Sequence, residues 1–199
     1  NYILKDIEFS RPPEMIKYLL KNGYTIIERI DAINEAIKIG GKEIIDILKY
    51  VSLNDNFYGV RIEAINALSK IGTEYSLNAL EEIYNKSIGN NNINSKIRIA
   101  IAEALGKYYK NEKSFYMLNK ILEKENRPYI ISSVLKSVGE LRLEKSKEIL
   151  KKYIDAESTN EIIRNGLLQG LSYFRDDEAI NIEIKFTDKK YIMRLRASA

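Results

Sequence analysis

One nine-residue frame returns through this chain at a nearly constant interval, and that return limits the available folds more than any other feature. Val60-Arg61-Ile62-Glu63-Ala64-Ile65-Asn66-Ala67-Leu68 overlays Ile97-Arg98-Ile99-Ala100-Ile101-Ala102-Glu103-Ala104-Leu105, arginine on arginine. Upstream, Glu28-Arg29-Ile30-Asp31-Ala32-Ile33-Asn34-Glu35-Ala36 fits the same frame. Downstream, Ile131 stands at the arginine position, Arg164 restores it, and Arg194 opens a last copy. The anchors at 29, 61, 98, 131, 164 and 194 are 32, 37, 33, 33 and 30 residues apart. Such a period predicts a solenoid, because a two-helix unit leaves one apolar side bare and only a stacked neighbour covers it.

Within a copy the pattern is that of a turn followed by one amphipathic helix. Phe57, Val60, Ala64, Ala67, Leu68 and Ile71 recur at spacings of three and four, so they share a helical face. Gly72 supplies the stop, since a residue without Cβ enters the left-handed conformation at little cost. Asp55, six residues before Arg61, is placed to cap the helix start, and the guanidinium to reach a neighbouring turn. Phe57 is expected in the core as a staple between helices; Tyr58 stands open between packing and exposure.

Along the chain, Ile3, Ile7 and Phe9 alternate with polar positions, which predicts a terminal β-strand over Asn1–Phe9, followed by the stiff turn Ser10-Arg11-Pro12-Pro13. Residues 1–13 thus read as a strand and linker from a preceding domain, and 14–199 as the repeat domain. The whole is all-α apart from that strand, a superhelix of five to six helix pairs. Second helices should line a concave face and first helices a convex back. Asn85–Lys96, rich in asparagine, reads as a loop inserted into the third pair. The helix of the third pair that holds Ile97–Leu105 is apolar nearly all round and should lie deepest. Tyr108 with Tyr109, and Tyr173 with Phe174, read as packing pairs. Ile180, Ile182, Ile184 and Phe186 alternate at the period of a strand, in a slot where the repeat demands a helix.

The chain has no cysteine and no histidine, which removes thiol nucleophiles, disulfides, Cys/His zinc sites and the usual general base together. No catalytic and no metal-ligating residue is therefore expected in it. A net charge of +4 with lysines and glutamates interleaved, as in Lys145-Ser146-Lys147-Glu148, reads as solvated helix surface rather than a nucleic-acid footprint. No apolar run is long enough to span a membrane, and no signal peptide precedes Tyr2, so a cytoplasmic location is expected. The start without methionine and the stop at Arg196-Ala197-Ser198-Ala199 read as an excised piece of a longer protein.

A helix pair of this length with Asp-x5-Arg at its inner turn resembles the HEAT repeat family. Asp55 with Arg61 matches that signature, Asn92 with Arg98 keeps it with an amide, and Ser158 with Arg164 is a weaker version. The resemblance implies a hydrogen-bonded ladder of these residues between neighbouring repeats. The order of strand, proline turn and Asn54-Asp55-Asn56-Phe57-Tyr58-Gly59-Val60-Arg61-Ile62-Glu63-Ala64 looks like the C-terminal part of aminopeptidase N-type zinc metallopeptidases. In that group the phrase is usually Asp-x-Phe-Trp-Gly-Val-Arg-x-Glu-Ala, and Tyr58 stands here at the tryptophan. The likeness covers nearly the whole chain and is specific over Asp55 to Leu68. It implies a non-catalytic domain that closes over the peptidase cleft, with zinc held in an upstream catalytic domain of the same polypeptide. The partners so implied are that domain and a peptide substrate or protein partner.

Polar residues of second helices outside the apolar stripe are the candidate contacts of a concave face: Glu63, Asn66, Glu103, Lys136, Asn165 and Gln169. Tyr58, Arg194 and Arg196 are candidates for a domain interface. The rival to the accessory-domain reading is a free-standing HEAT-type interaction scaffold. Nucleic-acid handling ranks third, because tryptophan is absent and the lysines are scattered.

Overall fold

The computed structural model of the chain describes residues 11–88 and 95–199. The strand expected over Asn1–Phe9, and Asn92, lie outside the described residues. Those described form twelve α-helices and no strand: α1 (Pro13–Asn22), α2 (Ile26–Ile39), α3 (Gly41–Asn54), α4 (Tyr58–Ile71), α5 (Glu74–Ile88), α6 (Ser95–Gly106), α7 (Glu112–Lys124), α8 (Pro128–Glu140), α9 (Glu144–Lys151), α10 (Ile162–Leu171), α11 (Asp177–Ile184) and α12 (Met193–Ser198). Short 3-10 turns at Thr159–Glu161 and Lys185–Thr187 precede α10 and follow α11.

Local chemistry sets most of these boundaries. Proline opens α1 and α8, where its missing N–H costs no helical bond. Thr25 and Glu28 form a reciprocal capping box at α2: Thr25 Oγ1 accepts from the Glu28 N–H, and Glu28 accepts from the Thr25 N–H. Asn111 and Asp176 cap α7 and α11 with their side-chain oxygens. Gly72 ends α4 at φ 67°, in the left-handed region expected of it.

The helices pair α1 with α2, α3 with α4, and so on, and the pairs stack. The second helices α2, α4, α6, α8 and α10 pack each on the next, and α12 continues the row on α10. Their facing sides carry Ala32, Ala36, Val60, Ala64, Ile97, Ile101, Val134 and Leu167, all buried. As expected, α6 is among the most enclosed, with Ile97, Arg98, Ala100, Ile101, Ala102, Ala104, Leu105 and Gly106 buried.

Glycine draws the later part of this row tight. A Cβ on Gly139 of α8 would stand 2.0 Å from the Gly170 carbonyl oxygen of α10, and one on Gly166 would stand 2.3 Å from the Ser132 carbonyl oxygen. Backbones this close leave no room for a side chain. The first helices touch directly through α1, α3 and α5; beyond α5 they are linked chiefly by long side chains.

The strand-like alternation near the C-terminus resolves as a helix. Ile182 and Phe186, four apart, are buried, while Ile180 and Ile184 face outward at 45% and 58% exposure. Two opposite faces of one short helix account for the period.

Candidate functional site

The repeated arginines hold the stack together. The last carbonyls of a helix have no partner within it. Arg29 Nη1 donates to the Gly23 carbonyl at the end of α1 (2.8 Å), Arg61 Nε to Ser52 in α3 (2.9 Å), Arg98 Nη2 to Ser87 in α5 (3.3 Å) and Arg164 Nε to Ile154 just after α9 (3.1 Å). Each guanidinium thus caps the first helix of its own repeat, and its charge suits the negative end of that helix.

Two of these arginines also reach the next repeat. Arg29 Nε stands 2.8 Å from Asp55, the C-cap residue of α3, and Arg98 Nη1 stands 2.7 Å from Glu125, the C-cap residue of α7. Asp55 thus answers the arginine of the preceding repeat, and the helix-start cap expected of it is corrected. Asp55 accepts from Arg29 and from the Phe57 N–H at 2.9 Å, and it caps no helix start. Burial pushes the Arg61 guanidinium down from its ordinary range, and the Asp55 charge opposes this only in part. Ser158 keeps a capping role by accepting from the Ile163 N–H, while Arg164 pairs within its own turn with Glu161 at 2.9 Å.

The polar candidates of the second helices fall into two groups. Asn66 on α4, Glu103 on α6 and Lys136 on α8 line one depression of about 180 Å³ with Ser69, Lys107 and Glu140. Its floor is where Gly106 meets Ser137, whose Cβ would lie 2.8 Å from a Cβ on the glycine. Glu63 lies half-buried on α4, one turn before Asn66. Lys107 closes one wall with an ion pair to Glu140 at 2.6 Å, which holds its ammonium above the usual range. The second group, Asn165 and Gln169 on α10, is bonded together at 2.8 Å, and Asn165 donates to Ser198 of α12 at 2.7 Å.

Among the described residues, the side chains of Glu63, Asn66, Glu103 and Lys136 make no hydrogen bond and no ion pair. The contrast with the first-helix row is sharp. There Lys17 pairs with Glu43, Lys49 with Glu82, Lys113 with Glu81, Lys145 with Glu112, Lys147 with Asp176 and Lys151 with Glu178, each joining one first helix to its neighbour. The interleaved charges read as solvated surface thus serve as cross-links.

Tyr58 is 40% exposed at the start of α4, with Lys96 Nζ 4.7 Å above its ring. Its neighbour Phe57 is 38% exposed rather than in the core, because its ring folds over Gly59 and against Tyr58, 5.1 Å away. Arg194 lies in α12, and Arg196 is half-buried there with its Nε turned inward. Of each expected aromatic packing pair, one member is in the core: Tyr108, bonded to Ser76, and Phe174 are buried, whereas Tyr109 is exposed and Tyr173 half-buried.

Sequence reasoning passed over Ser69, Lys107, Glu140 and the acceptor Glu125. The first three lie one helical turn from candidates it did name, so following Asn66, Glu103 and Lys136 by three or four positions would have found them.

Stacked helix pairs with a capping arginine in the second helix are consistent with a HEAT-like repeat domain, and the comparison supports that class over part of the chain. A family model described as PBS lyase HEAT-like repeat matches residues 60–86, which are α4 from its third residue and most of α5. No curated protein matches the chain. Among the described residues no group of acidic side chains could hold a metal ion, and no helix is long and apolar enough to cross a membrane.

Proposed function

We propose that this chain is a protein-interaction scaffold whose second-helix face holds an extended segment of a partner protein. The observation that carries the reading is the asymmetry of the two rows. Charges on the first helices are spent on joining repeats, while Glu63, Asn66, Glu103 and Lys136 present unused donors and acceptors across three successive helices. An extended peptide has an unpaired backbone amide and carbonyl at every residue, and such a row of amide and charged groups can satisfy them.

The acids on this face argue against nucleic acid, since Glu63, Glu103 and Glu140 would oppose a phosphate backbone. A zinc aminopeptidase as the setting for this scaffold is a narrower form of the same proposal. It rests on the phrase from Asp55 to Leu68 and requires a peptidase domain in the same polypeptide.

The test is binding to an array of random twelve-residue peptides by the wild-type chain, by an Asn66→Ala/Lys136→Ala variant, and by Lys113→Ala on the other row. The proposal expects a set of peptides lost to the first variant and kept by the second. Retention by neither the wild type nor a variant, or loss only with Lys113→Ala, overturns it.

A further inference from the structure

We infer that the segment held on this face carries a basic residue and an acidic residue about three positions apart, the basic one over α6 and the acidic one over α8. The inference rests on the scaffold reading and adds the chemistry of the partner.

The open charges of the depression differ in sign from one helix to the next. Glu103 is acidic and lies on α6; Lys136 is basic and lies on α8, the next helix in the row, whereas on α4 Glu63 and Lys70 are of opposite sign and neither lines the depression. Lys107 and Glu140, the remaining charged pair of the depression, neutralise each other at 2.6 Å and close its wall. What remains open is therefore a negative point on α6 followed by a positive point on α8, with the neutral amide of Asn66 and hydroxyl of Ser69 of α4 beside the negative one.

Spacing turns this order into a sequence rule. Packed helices lie about 9 Å apart axis to axis, and an extended chain advances about 3.3 Å per residue. A partner segment crossing from α6 to α8 therefore moves about three residues. An extended segment can lie in either direction, so basic-x-x-acidic and acidic-x-x-basic both satisfy the face. Two basic residues at that spacing put a cation on Lys136, and two acidic residues put an anion on Glu103. Like charges juxtaposed at an interface are how wrong partners are rejected.

The experiment measures fluorescence anisotropy of labelled peptides of one backbone sequence carrying Lys-x-x-Glu, Lys-x-x-Lys or Glu-x-x-Glu. The wild-type chain should bind the mixed peptide about tenfold more tightly than either like-charged one. Lys136→Glu should invert the preference towards Lys-x-x-Lys, and Glu103→Lys should shift it towards Glu-x-x-Glu. Both sites are on the surface of formed helices, so unchanged helical circular dichroism accompanies either variant. If peptides bind and compete with the array peptides but ignore the charge pattern, the inference is overturned and the scaffold reading stands. If no peptide of the array or of this set binds, both fall.

Discussion

Arg98 and Glu125 meet at 2.7 Å with nine-tenths or more of each side chain buried, and they join the third helix pair to the fourth. Buried ions of this kind cost much to desolvate, and the pair holds because each satisfies the other, with the Ser87 carbonyl taking a further Arg98 N–H. Removing one partner should therefore be more damaging than removing both. Arg98→Ala or Glu125→Ala should each cost ~3–5 kcal/mol in urea unfolding. The double replacement Arg98→Met/Glu125→Leu should cost less than either single change.

Tyr84 lies beside that pair, 2% exposed, with its hydroxyl unbonded. Burial pushes its phenol up to about 12, with Glu125 adding to the shift and Arg98 opposing it. A raised folded value favours the protonated form in the folded state. The stabilisation is thus full below about pH 10, where the unfolded phenol titrates, and is lost as pH rises through the folded value near 12. Tyr84→Phe should remove up to ~2 kcal/mol of this alkaline loss. At pH 7 the same change should be neutral or stabilising, because it deletes a buried hydroxyl without a partner. Urea titrations at pH 7 and pH 11 check both.

Gly139 and Gly170 set the closest approach of α8 and α10. Alanine favours a helix over glycine by about 1 kcal/mol, so local propensity predicts a gain at both positions. Overpacking against backbone wins here. Gly139→Ala and Gly170→Ala should each destabilise by ~3 kcal/mol or more, read as a lower urea midpoint. Gly72→Ala, with its left-handed backbone but no crowding atom nearer than 3.6 Å, should cost only about 1 kcal/mol.

Of the lysine cross-links of the first-helix row, those of Lys113 and Lys145 are the most exposed and should contribute little individually. Lys113→Ala should change stability by less than about 1 kcal/mol, and 0.5 M salt should erase the difference from wild type. Lys147, with side-chain exposure of 15% and three carboxylates within reach, should cost more than Lys113 when replaced by alanine.

How much of this was legible depends on whether a residue's partner lies inside its own repeat. The arginine frame was readable because its carbonyl partner precedes it at the end of the same helix pair, as with Arg61 and Ser52. Which acceptor meets which arginine was not readable within one frame because the two belong to successive pairs: Asp55 answers Arg29, 26 residues before it, and Glu125 answers Arg98, 27 residues before it. The helix at Asp177–Ile184 was legible from the repeat, which demands one there, although the apolar alternation resembles a strand, since a short helix can offer apolar side chains to two opposite sides. Asn66, Glu103 and Lys136 were legible as a face because the second helices repeat in register. The tight contact of Gly139 with Gly170 was not, because a glycine within a helix marks close approach only once its neighbour is known.

The most direct test of the account is thiol reactivity on single-cysteine variants, made straightforward by the absence of native cysteine. Asn66→Cys and Lys136→Cys report on the second-helix face, and Tyr116→Cys, at a position 65% exposed on α7, reports on the opposite row. Labelling rates would be measured alone and with a saturating array-selected peptide. The account predicts slowed labelling at positions 66 and 136 and an unchanged rate at 116. Slowing at 116 with no change at 66 and 136 would place the partner on the first helices and contradict it.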